Sequence, residues 1–171
     1  MRKVFIAILI FTTVASNAQI NNSWIDYNRT YYKFKVGKSG LCRINQAALV
    51  AAGLGNTPAE YFQLWRNGEE VRLFTSVASG PFSGNDYIEF WGKMNDGVPD
   101  KSMYRKPGFQ LCDSFSIHSD TAAYFITINA KAGNLRYTDA INNIDGNTLP
   151  AEPFFMRTVN KVYKDQYNRG L

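Results

Sequence analysis

Histidine is almost absent from this chain. His118 is the only one in 171 residues, and cysteine appears just twice, as Cys42 and Cys112. A Cys–His nucleophilic pair needs thiolate and base within hydrogen-bond reach, with a third group to orient the base. His118 follows Cys112 by six residues in a loop-like stretch, nothing in the sequence positions the two, and no third orienting group is evident, so no catalytic dyad is expected. A Gly-x-Ser-x-Gly elbow is missing too, which removes the marker of a serine hydrolase. Basic residues never form a run of five, and the scattered Lys33, Lys35, Lys38, Arg43 and Arg66 make a solvated surface instead of a nucleic-acid face. No apolar run approaches the roughly 20 residues a spanning helix needs. No nucleic-acid partner and no membrane span after leader removal are therefore expected.

The longest apolar run lies at the N-terminus. Met1-Arg2-Lys3 is a short positive start, residues 4–14 are almost wholly apolar, and Ser16-Asn17-Ala18 places small residues at the two positions a signal peptidase reads. Residues 1–18 are thus expected to be a cleavable signal peptide, cut between Ala18 and Gln19, and the protein to be exported. Cleavage leaves 153 residues, enough for one domain with a core. It also removes Arg2 and Lys3, so the net charge falls from +5 to +3. In an exported chain Cys42 and Cys112 are either a disulfide closing a loop of about 70 residues or two separately buried thiols, because pairing depends on a Cα separation that sequence does not carry.

Aromatic residues make up 15% of the chain, and Tyr and Phe favour strands. Residues 31–36 alternate, with Tyr32, Phe34 and Val36 on one face and Lys33 and Lys35 on the other. Residues 37–40 form a turn and residues 41–44 return, so the pair is expected to be a hairpin. Asn45 is a good N-cap for one short helix near residues 46–52, which Gly53 ends. Residues 61–66 form a strand, Asn67-Gly68 a hairpin turn, and residues 70–75 the return strand. Residues 86–91 alternate, with Tyr87, Glu89 and Trp91 opposite Ile88 and Phe90. Residues 95–119 are turn-rich and irregular, and residues 121–129 make the best buried strand. Short strands with frequent turns predict an all-β, mainly antiparallel sandwich-like domain over residues 19–141. Residues 142–153, polar and containing Gly146, Pro150 and Pro153, are a linker, and residues 154–171 begin a further, incomplete element.

Two binding chemistries merit attention. Asp86, Asn95, Asp96 and Asp100 are oxygen-bearing candidates for calcium. Their spacing departs from the EF-hand loop, and Asn-Asp-Gly is what a tight turn requires, so the turn is the preferred reading. Asp86 and Glu89 as paired glycosidase carboxylates are disfavoured, since three residues apart on a strand they face opposite ways. Trp24, Trp65 and Trp91 would suit a carbohydrate platform, although core packing is the default use of such rings.

Trp24-Ile25-Asp26-Tyr27 leading into residues 31–36, Ser39-Gly40-Leu41-Cys42-Arg43-Ile44, Phe62-Gln63-Leu64-Trp65-Arg66-Asn67-Gly68, Asp86-Tyr87-Ile88-Glu89-Phe90-Trp91-Gly92 and Asp120-Thr121-Ala122-Ala123-Tyr124-Phe125 occur in that order. Together they resemble the N-terminal region of gingipain-type cysteine peptidases of the type IX secretion system sortase group, over roughly residues 24–129. The resemblance implies a β domain ahead of a peptidase domain that itself holds the catalytic Cys and His. It carries no catalytic role to Cys42, Cys112 or His118, and no cofactor. It further implies a peptidase domain C-terminal to residue 171, type IX secretion components as partners, and a place in the periplasm, outer membrane or cell surface of a bacterium. A free-standing exported module binding carbohydrate or calcium is the alternative.

Overall fold

The computed structural model describes residues 22–110, 112, 114–141, 146, 153–157 and 159. The expected signal peptide, most of the linker and most of the terminal element fall outside the described residues.

Seven strands among the described residues form two antiparallel sheets. One holds β1 (Tyr31–Val36), β7 (Ala122–Ile128), β3 (Phe62–Arg66) and β4 (Glu69–Val71), in that order. The other holds β2 (Gly40–Asn45), β6 (Tyr87–Gly92) and β5 (Phe74–Thr75). The all-β expectation is met, with one short helix, α1 (Gln46–Ala51), and a few 3₁₀ turns. Asn45 caps α1 as expected: its Oδ1 accepts from the Ala48 N–H at 2.9 Å. Past its end Gly53 takes φ +77°, a left-handed conformation open to glycine at little cost. Among the described residues no helix is long and apolar enough to cross a membrane.

Alternation predicted the faces correctly but not every pairing. The β3–β4 hairpin turns on Asn67 (φ 51°) and Gly68 (φ 83°), the two positive φ values that such a turn demands. The hairpin expected between residues 31–36 and 41–44 does not form. β1 pairs with β7 and β2 with β6, so residues 37–39 carry the chain from one sheet to the other. The expected return strand 70–75 also divides, Glu69–Val71 staying with β3 and Phe74–Thr75 crossing to β6. The cause is shared. Each strand is apolar on one face only, and two such faces that meet across a sandwich bury more than two lying side by side in one sheet.

The core lies between the sheets. Phe62, Leu64, Tyr124 and Ile126 from one meet Ile88 and Phe90 from the other, each almost fully buried. Phe34, Phe90 and Tyr124 form a three-ring contact with centroids 5.4–5.8 Å apart, a favourable range for aromatic packing. Past β7 the chain is clipped back onto the end of the sandwich. The Arg136 guanidinium donates to the carbonyls of Ala59 (3.0 Å), Glu60 (3.0 Å), Phe62 (2.8 Å) and Leu135 (2.9 Å). Tyr137 N–H reaches Leu73 O at 2.8 Å.

Candidate functional site

The two outer faces of the sandwich are treated differently. On the four-stranded sheet the pleat sends Tyr31, Trp65 and Phe125 outward, and residues 22–30 lie over them as a strap. Trp24 packs against Tyr31 (5.5 Å), Trp65 (5.4 Å) and Phe125 (5.5 Å) between ring centroids. Polar contacts secure the strap: Asp26 N–H donates to the Tyr31 hydroxyl at 2.9 Å, and Arg29 pairs with Asp26 at 3.0 Å. Thr127 Oγ1 donates to Thr30 O at 2.7 Å.

On the three-stranded sheet the corresponding face stays open among the described residues. Register places Leu41 opposite Trp91, Arg43 opposite Glu89 and Asn45 opposite Tyr87, with Phe74 on the far side of Glu89. Leu41 is 65% exposed, Trp91 54% and Phe74 39%. Between these apolar ends Arg43 binds Glu89, with Nη2–Oε1 at 2.7 Å and Nε–Oε1 at 2.9 Å, and its guanidinium stacks 3.8 Å above the Tyr87 ring. The ion pair in water contributes at most about 1 kcal/mol; its larger effect is to hold the guanidinium flat on Tyr87. The result is a strip of Trp, Leu, Tyr and Phe around a neutralised Arg–Glu pair. Aromatic residues and Arg are the types that dominate binding energy when a partner excludes water from such a strip.

The three tryptophans are not gathered into one platform. Trp24, in the strap, packs on Trp65 beneath it, whereas Trp91 stands on the opposite sheet. The calcium candidates are also dispersed. Asp86 precedes β6 and Asn95 follows it, so a six-residue strand of about 20 Å separates them. Asp86 accepts from Ser83 N–H (2.8 Å) and Ser76 Oγ (2.9 Å), contacts that hold its pKa below the usual 3.8. Asn95 and Asp96 each close a small turn, onto Gly97 N–H (3.1 Å) and Val98 N–H (3.2 Å). Partial burial works against the Asp96 carboxylate, but bonds from Arg66 (2.8 Å) and Val98 outweigh it and lower its pKa. Asp100 is buried in the turn Pro99–Met103, with one carboxylate oxygen lacking a partner among the described residues. No group of three metal-ligating side chains forms among the described residues.

Cys42 and Cys112 are both free and half-buried. His118 is exposed, its backbone N–H donated to Ser116 Oγ at 3.1 Å. Glu89, considered above as a carboxylate facing away from Asp86, is the partner of Arg43. The open face itself was half legible: alternation marked Tyr87, Glu89 and Trp91 as one side of a strand, but only the β2–β6 pairing brings Leu41 and Arg43 beside them.

The fold and this surface define a small β-sandwich domain that, among the described residues, has one covered and one open sheet face. No protein-family model matches the chain, and no curated protein or solved structure matches it.

Proposed function

We propose that this domain is the non-catalytic N-terminal β domain of an exported gingipain-like cysteine peptidase of the type IX sortase group. In this reading it docks on the peptidase domain that follows residue 171 and supports its folding or shields it, while the whole protein processes secreted proteins at the cell surface. The observation that carries the docking role is the open Leu41–Trp91 pair beside Arg43 and Tyr87, set against a four-stranded face that the chain covers itself. The family half of the reading rests on the ordered motifs. They fall on the strap, on β2, on β3 with its Asn67-Gly68 turn, on β6 and on β7, the parts that build the sandwich.

The first test is the coding sequence downstream of Leu171. A continuing frame that encodes separate Cys and His motifs supports the proposal, and a stop codon there removes the peptidase. The second is Leu41→Asp with Trp91→Asp in the full encoded protein. Proteolytic susceptibility of the junction between the two domains should rise, while the β domain alone keeps its melting temperature. Unchanged susceptibility would sink the docking role. A rival reading, an exported glycan-binding module, is favoured only by the exposure of Trp91. Calorimetric titration with glycans that yields saturable heat, abolished by Trp91→Ala, would replace the proposal with that one.

A further inference from the structure

The sandwich is unequal, four strands facing three, and the shortfall lies beside β2. β1 and β2 are edge strands of opposite sheets, so among the described residues each has one side without a ladder partner. Between them the inner faces do not close. A cavity of about 510 Å³ is lined by Tyr32, Phe34, Ile44, Leu49, Leu54 and Ile126, among others. A second, of about 320 Å³, continues it along Phe34, Val36, Cys42, Ile44 and Phe90. Tyr32, Phe34, Cys42 and Ile44 are core-facing residues left only partly buried. This is the shape left where a sandwich lacks one edge strand.

The same chain carries a segment without a home. In residues 153–159, Phe155 is 85% exposed and Met156 89%, with Phe154 and Val159 also largely exposed. Contiguous exposed apolar side chains of this kind mark a docking element. Residues 154–159 number six, the length of β2, and alternation along a strand would put Phe154 and Met156 on one side, free of charge. The stretch from Ile141 to Phe154 spans up to about 40 Å when extended, more than the roughly 35 Å width of a domain of this size, so a surface path to a neighbouring edge is open to the segment.

We propose that residues 154–159 add to β2 as an eighth strand, with Phe154 and Met156 entering the groove against Tyr32 and Phe34, so that the three-stranded sheet gains its fourth member. Backbone bonds to the edge of β2 supply attraction whatever the side chains, and the alternate side chains supply the fit and the register, as in strand addition generally. The occupant is this chain's own segment, and the inference does not depend on the peptidase reading.

Cys42 lines the groove and serves as the reporter. In a Cys112→Ser chain, Met156→Cys should form an intrachain disulfide with Cys42 under mild oxidation. A docked segment raises the effective concentration, so the rate should exceed that of an Ile141→Cys control by at least about tenfold. Peptide mapping identifies the bond, and gel mobility separates it from links between chains. In parallel, Phe154→Asp with Met156→Asp should lose hydrogen-exchange protection on β2 amides while protection on β7 is kept. Cross-linking no faster than the control, links only between chains, or unchanged exchange on β2 would each overturn the proposal.

Discussion

The hydroxyl of Tyr124 holds both backbone polar groups of Lys93. It accepts from the Lys93 N–H at 2.7 Å and donates to the Lys93 carbonyl at 3.2 Å. Tyr124 belongs to the centre of the four-stranded sheet, and Lys93 follows the last residue of β6 in the other. One side chain, 1% exposed, thereby bonds the two sheets across the core. Burial pushes its pKa above the usual 10.0, which favours the protonated, donating form.

Tyr124→Phe should keep the packing and lose both bonds, leaving the Lys93 N–H and carbonyl short of a partner. The expected cost is about 1–3 kcal/mol, read from urea denaturation. A variant as stable as the parent would show that water takes over both groups.

Arg136 should matter more than its place after the last strand suggests. Its guanidinium satisfies four carbonyls, and burial lowers its pKa, with Glu70 and Glu60 opposing that shift. Arg136→Met is expected to destabilise by about 3 kcal/mol, since hydrogen bonds to charged groups are the strong ones. Arg136→Lys should restore little, because an ammonium cannot reproduce the planar fork. Thermal melts of both variants test this.

The strap makes the third case. Trp24→Ala removes three ring contacts from a half-buried site and should cost about 2 kcal/mol, less than a fully buried aromatic would. The same change bares Trp65, so its fluorescence should shift to the red. Trp91→Ala, at an exposed position, should change stability by no more than about 0.5 kcal/mol.

Acid should act through Asp96. Its folded pKa lies below the ordinary 3.8, so its stabilisation is present above that value and disappears as pH falls through the folded one. Asp96→Asn should therefore flatten the dependence of the urea midpoint on pH below about 4, with little change in that dependence near neutrality. The parent and variant curves running parallel down to pH 2 would contradict the assignment.

The local features were legible because they are governed by neighbours in sequence. Asn45 and Gly53 bracket the helix, Asn67-Gly68 forces the turn, and the alternation of Tyr32, Phe34 and Val36 names the buried side of β1. Turn chemistry and a period of two need no knowledge of the partner. The split of residues 69–75 between sheets was not legible, because Leu73 is fully buried without belonging to either strand run, and only its long-range contacts make it a crossing point. The candidate site was partly visible for the same reason. Tyr87, Glu89 and Trp91 announce a shared face, while Leu41 and Arg43 join them through a pairing 46–50 residues distant in the chain.

By itself, then, the sequence determined that this is a strand-rich domain with one capped helix, and which side of each strand is apolar. Those properties follow from side-chain type and spacing. Tertiary structure alone decided that β1 and β2 part into opposite sheets, that Trp24 covers one outer face, and that Leu41 and Trp91 stay largely exposed on the other among the described residues. Pairing partners are chosen by the total burial of both sheets together, a quantity that no single segment contains.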